Sequence, residues 1–106
     1  MELNDYQDKA LSTALEQALG MDGGIQYTTL GLNGEAGEVA EKVKKWMRDG
    51  NLSLRDVALE LGDCLWYLAV LAANIGYTLD EVAQMNVDKL ASRRERSVLK
   101  GSGDDR

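Results

Sequence analysis

The sequence predicts an all-α fold, a single-domain bundle of about four helices that assembles as a homo-oligomer. Three observations predict it. The 106 residues include no proline, so nothing breaks a helix from within. β-Branched residues are not gathered into runs that suit strands. Apolar residues recur instead at intervals of three and four, the spacing that gives a helix one apolar face, and glycines punctuate the gaps.

The first helix is expected from Asn4 to about Leu19, with Tyr6, Ala10, Leu11, Ala14, Leu15 and Ala18 on its apolar face, ended by Gly20 and the Gly23-Gly24 pair. A second starts between Tyr27 and Asn33 and reaches about Arg48, closing at Asp49-Gly50; its Leu32, Ala36, Val39, Ala40, Val43 and Met47 keep the helical interval. Gly31, Gly34 and Gly37 lie inside it. A glycine within a helix costs roughly 1 kcal/mol relative to alanine, so something must come close here. Tight helix packing and a ligand approaching the backbone beside Glu35 and Glu38 both fit.

Ser53 is a suitable N-cap for the third helix, with Asp56 three residues on, and Gly76 stops it after about Ile75. Its segment Cys64-Leu-Trp-Tyr-Leu-Ala-Val-Leu-Ala-Ala73 is apolar nearly all round, which requires burial on most sides. A partner subunit is the natural cover, and closed symmetry favours a homodimer or a homotetramer built as a dimer of dimers. Thr78-Leu-Asp-Glu81 is a capping box opening the fourth helix, which carries Val82, Ala83, Met85, Asn86, Lys89, Leu90 and Arg93 toward a basic stretch ending near Lys100. Residues 1–100 thus form the domain. Residues 101–106, Gly101-Ser-Gly-Asp-Asp-Arg106, are a tail that composition alone would leave disordered.

Composition excludes several functions. A net charge of −6 argues against a protein that holds a nucleic-acid polymer by its phosphates, while small anionic substrates remain open if a metal reverses the local field. The absence of histidine removes Ser-His-Asp and Cys-His catalysis, histidine-containing zinc sites and the Glu-x-x-His pattern of di-iron bundles. Cys64, the one cysteine, lies in the apolar run and reads as a core residue. That run is too short to span a membrane, and the polar start Met1-Glu-Leu-Asn-Asp-Tyr lacks the regions of a signal peptide. A soluble cytoplasmic protein without a membrane partner is expected.

Two acidic pairs carry the chemistry: Glu35 with Glu38, and Glu60 with Asp63. Residues three apart on a helix point to the same side, about one turn apart. Two such helices packed face to face would gather four carboxylates in one cleft, where their repulsion is relieved by a hard, oxygen-preferring divalent cation, Mg2+ first and Mn2+ as a substitute. Glutamates on a helix usually face solvent, and a non-catalytic helical interaction or oligomerisation module with solvated acidic faces is the rival reading. Their place at the mouth of an apolar helix favours a protein-walled cleft.

The order of these motifs resembles the MazG-like branch of the all-α nucleotide pyrophosphohydrolases, which also includes dimeric dUTPases and phosphoribosyl-ATP pyrophosphohydrolases. The ExxE, spacer, ExxD pattern is similar to Glu35/Glu38 followed by Glu60/Asp63, and Asn-x-x-Lys-Leu-x-x-Arg to Asn86-Val-Asp-Lys-Leu-Ala-Ser-Arg93. Asn4-Asp-Tyr-Gln7, the run from Leu30 to Lys42 and the closing Gly101–Arg106 resemble small bacterial and phage members. Archetypal MazG proteins carry a glutamate where Gly34 stands here, which leaves the ligands in place but weakens any transfer of specificity. The resemblance implies hydrolysis of a nucleoside triphosphate between its α and β phosphates, with Mg2+ held by Glu35, Glu38, Glu60 and Asp63, and Glu38 orienting the attacking water or taking its proton. On the same reading Lys89 and Arg93 neutralise phosphate charge and Asn86 contacts substrate. Gln7 either reads the base or completes a cap with Asn4. Trp46 is a candidate for stacking on the base, while Trp66 and Tyr67 read as core or interface. Arg106 would bring the tail to the cleft, pairing with a phosphate or an acidic side chain.

Overall fold

The most apolar segment of the chain lies at its centre. In the computed structural model, which describes residues Met1–Arg106, helix α3 (Leu54–Asn74) packs against α1 (Leu3–Ser12), α2 (Ile25–Asp49) and α4 (Leu79–Glu95), most extensively against α2. There is no strand, and the chain is all-helical as its spacing predicts. The α2–α3 pair is a long hairpin that reverses at Gly50, whose φ of +79° is a left-handed turn open to glycine. Ser53 accepts the Asp56 amide at 3.2 Å to start α3. Thr78 and Glu81 exchange the two bonds of a capping box to start α4, which leaves the end of α3 at 97°.

Two ends differ from the sequence expectation. Helix α1 stops at Ser12 rather than near Leu19. The Ser12 and Thr13 hydroxyls turn back onto the carbonyls of Lys9 and Ala10 at 2.6 and 2.8 Å, the local bonding by which these residues compete with helix propagation. A 3-10 turn (Glu16–Ala18) and a π-type turn (Gly20–Gly24) follow. Buried Asn74 pins both, donating to the Ala18 carbonyl at 2.8 Å and accepting the Gly20 amide at 3.0 Å. Helix α2 begins at Ile25, ahead of the expected range, because Gly24 is already in the right-handed helical region and the winding passes straight through without a capping side chain.

The fourth helix is capped by the first. Gln7 is buried, and its amide nitrogen donates to the Ala69 and Tyr77 carbonyls at 3.0 and 3.2 Å while its oxygen accepts the Leu79 amide at 3.0 Å. Asn4 accepts the Asp80 amide at 3.0 Å. Three of the amides that open α4 thus find side-chain partners, two of them from α1. Of the two roles open to Gln7, completing a cap with Asn4 is the one the structure displays.

Ala10, Ala69, Val70 and Leu79 form the fully buried core, ringed by Tyr6, Leu11, Ala14, Leu65 and Trp66. It is small, and the hairpin extends well past it. The radius of gyration is 16.3 Å, against about 13 Å for a compact domain of this length. Leu30, Met47, Leu54, Leu59 and Leu61 stand exposed along the hairpin.

Replacing Gln7 by leucine keeps the volume but leaves buried carbonyls and the Leu79 amide without partners, each costing about 1–3 kcal/mol. Gln7→Leu should therefore lose about 2–4 kcal/mol in urea denaturation, allowing for partial relaxation. A loss under about 0.5 kcal/mol, the level of an ordinary surface substitution, would show the clamp to be unimportant.

Candidate metal centre

The hairpin places the acidic residues by its register. At Gly31 the backbone of α2 comes so close to α3 that a Cβ would overlap the Tyr67 ring. Four residues further along α2 is Glu35, and four residues back along α3 is Asp63. The next positions outward are Glu38 and Glu60. Tight packing thus explains Gly31, whereas a Cβ on Gly34 or Gly37 would meet nothing within 4 Å beyond its own stretch of helix.

Glu35, Glu60 and Asp63 converge, each offering a carboxylate oxygen within 4.8 Å of the others. Glu35 and Glu60 are half-buried and Asp63 is exposed. Glu38 stands exposed at the edge, near enough for its charge to act on Glu35 but outside the group of three. No lysine or arginine is paired with any of the four; the ion pairs of the chain involve Glu41, Asp49 and Asp104. Burial and then the charges of Asp63, Glu60 and Glu38, together with a hydrogen bond to Glu60, raise the pKa of Glu35 above its ordinary value. Burial followed by the same carboxylates also raises the Cys64 thiol, keeping it in the unreactive form expected of it. An all-oxygen donor set with unrelieved negative charge could hold a hard divalent cation, which takes oxygen ligands.

Beside the carboxylates is an open cleft of about 330 Å³, lined by Glu35, Asp63, Trp66 and Tyr67. The aromatic pair belongs to the site rather than to core alone. Its signal in the sequence is position, since Trp66 and Tyr67 lie three and four residues after Asp63 and so share its side of α3.

The remaining sequence candidates lie elsewhere on the chain. Trp46 is 45% exposed near the end of α2, eleven residues from Glu35, or about 16 Å along the helix axis. Gln7 is spent on the clamp between helices. Asn86 and Lys89 line a second groove, of about 430 Å³, with Ile75, Tyr77, Val82 and Met85. Lys89 pairs with Asp104 at 3.2 Å. Arg93 is buried and donates to the carbonyls of Gly103 and Asp104 at 3.1 and 2.9 Å, with the Asp104 carboxylate 3.5 Å away.

The tail is therefore fastened where composition gave it no apolar anchor. Gly101 and Gly103 take positive φ of +139° and +86° to turn it back. Arg106 closes the loop, donating to the carbonyls of Val98, Leu99 and Gly103 at 3.1, 2.8 and 2.7 Å. It packs on the end of α4 of its own chain, and Arg106 does not line that chain's carboxylate cleft.

The family described as "MazG nucleotide pyrophosphohydrolase domain" matches residues 24–98, a span that holds the hairpin, all four carboxylates, Asn86, Lys89 and Arg93 but neither Gln7 nor Arg106. A protein of Mycobacterium phage L5, called "Gene 37 protein", is 44% identical over 114 aligned residues covering the whole of both chains. No solved structure matches the chain. No single helix is long and apolar enough to cross a membrane.

The raised pKa of Glu35 has a definite sign in stability. The folded chain holds that proton more tightly than the unfolded chain, so stability from this group is lost as pH rises from the ordinary carboxylate range through the raised value. In chelator, Glu35→Gln should have a melting temperature equal to wild type near about pH 4 and above it by about pH 7. A wild type that gains on the variant as pH rises would contradict the crowding of charge at this site.

Proposed function

The chain belongs to the MazG nucleotide pyrophosphohydrolase family, and on that premise we propose that it is a Mg2+-dependent hydrolase of nucleoside triphosphates, cleaving between the α and β phosphates to release a nucleoside monophosphate and pyrophosphate. Its role is control or housecleaning of the (deoxy)nucleotide pool in the cytoplasm. The observation that carries this reading is the convergence of Glu35, Glu60 and Asp63 within 4.8 Å without a cation of the chain to balance them.

Glu35, Glu60 and Asp63 hold the metal. When bound, Mg2+, or Mn2+ in its place, supplies positive charge to the triphosphate oxygens and lowers the pKa of a water. Glu38, exposed at the edge of the cluster, completes the ligand set on this reading and orients that water or takes its proton. Asn86 and Lys89 sit outside their own chain's cleft, so their service to substrate comes across a subunit boundary, with Lys89 exchanging the exposed Asp104 carboxylate for a phosphate, while Arg93 and Arg106, held by backbone carbonyls, keep the tail in place. An exposed pair of this kind is worth little and is readily exchanged. The exposed leucines of the hairpin and the extended shape of the chain support a homodimer or homotetramer.

Glu38→Gln, Glu60→Gln and Asp63→Asn should each lower Mg2+-dependent hydrolysis by about 100-fold or more, the scale of losing one preorganised charge at a reacting centre, with folding intact. In oxygen-18 water the label should enter the monophosphate. Label confined to pyrophosphate, or full activity in all three variants, would overturn the assignment; a helical interaction module would be indifferent to Mg2+ altogether.

Light scattering should give a dimer or tetramer down to the lowest concentration at which the enzyme is active. An active monomer would contradict the role of the exposed hairpin face.

A further inference from the structure

The cleft beside the carboxylates has an aromatic wall whose construction is more informative than its presence. Asp63 and Trp66 are one turn apart on α3 and both line it. The Trp66 indole nitrogen donates to the Thr13 hydroxyl oxygen at 2.8 Å. That hydroxyl donates in turn to the Ala10 carbonyl at 2.8 Å, so the direction of both bonds is fixed. The interruption that ends α1 at Ser12 thereby presents Thr13 as the anchor for the indole. On its other side Trp66 meets the Tyr67 ring edge-on, with centroids 4.9 Å apart and planes at 83°. Tyr67 is itself seated against Gly31 and tilted against Tyr27 at 6.4 Å. Trp66 is thus locked at both ends, and its single polar atom is already spent.

We propose that Trp66 is the platform on which the substrate's base stacks, so that this cleft selects a flat heterocycle beside a metal-bound polyphosphate and discriminates weakly among bases. The inference rests on the preceding reading that the carboxylates hold a nucleotide's phosphates. A ring that lines the cleft with its one donor already bonded has no hydrogen bond to offer a base and can serve it only by stacking, which tolerates every base. Thr13 is then a positioning residue, acting through the indole. Trp46, the tryptophan the sequence favours for this contact, lies outside the cleft.

Intrinsic tryptophan fluorescence, followed on titration with non-hydrolysable α,β-methylene analogues of purine and pyrimidine triphosphates in Mg2+, separates the two tryptophans. Quenching should persist in Trp46→Phe and vanish in Trp66→Phe, a variant that keeps an aromatic ring and the surrounding packing. Trp66→Leu should raise KM by about tenfold to a hundredfold, the range of one stacked base, by similar factors for all bases and with kcat little changed. Trp66→Phe should recover most of that loss, and Thr13→Val should raise KM in the same direction. Inorganic triphosphate, which has no base, should inhibit wild type and Trp66→Leu equally. Quenching that tracks Trp46, or a KM unchanged in Trp66→Leu, overturns the platform while leaving the hydrolase reading intact, provided binding is still lost in Glu60→Gln. No nucleotide binding by wild type in Mg2+ overturns both.

Discussion

The site depends on one close approach. Gly31 lets the backbone of α2 settle against the Tyr67 ring of α3, and that contact sets the distance and register of the hairpin. Each turn outward along α2 is then matched by a turn back along α3, which brings Glu35 opposite Asp63 and Glu60 alongside. The three carboxylates repel one another, and Glu35 responds by holding its proton more tightly. Packing and electrostatics thus oppose each other at adjacent turns of the same helix pair. A divalent cation held by these carboxylates would relieve that opposition.

The small core adjoins this cluster through Trp66, which packs on the core and also lines the cleft. Ala10, Ala69, Val70 and Leu79 are buried where α1, α3 and α4 meet, and Gln7 ties the three together through its amide. Glu35, Glu60 and Asp63 themselves lie outside the buried core, on a hairpin that also carries exposed leucines. Arg93 and Arg106, two of the four arginines toward the C-terminal end, have a structural task. Arg93 and Arg106 are occupied with backbone carbonyls and act as fasteners of the tail, leaving Lys89 as the cation whose partner, Asp104, is exposed and exchangeable.

Much of this was legible in the sequence because it is written in short-range periodicity. Ser53 with Asp56 and Thr78 with Glu81 mark the starts of α3 and α4, and three of the four carboxylates in the two acidic pairs converge between α2 and α3. What escaped were interactions between distant residues. The early end of α1 comes from hydroxyls that bond backward, and Thr13 is also held by Trp66, 53 residues away. Glu38 matches its pair in spacing yet remains at the edge, because a hairpin register decides which carboxylates face inward. Trp46 and Trp66 are equally good stacking residues by type, and only the path of α3 past the cleft distinguishes them. The tail has no apolar residue to announce its order, which comes from guanidinium bonds to carbonyls.

The assignment of Glu35, Glu60 and Asp63 as a divalent cation site is tested most directly by electron paramagnetic resonance of Mn2+ titrated into the nucleotide-free protein. Wild type should remove the signal of free Mn2+ saturably, and added Mg2+ should restore it. The triple variant Glu35→Gln, Glu60→Gln, Asp63→Asn should leave the free signal unchanged. Undiminished binding by that folded variant would place the ion elsewhere and remove the metal centre from these carboxylates.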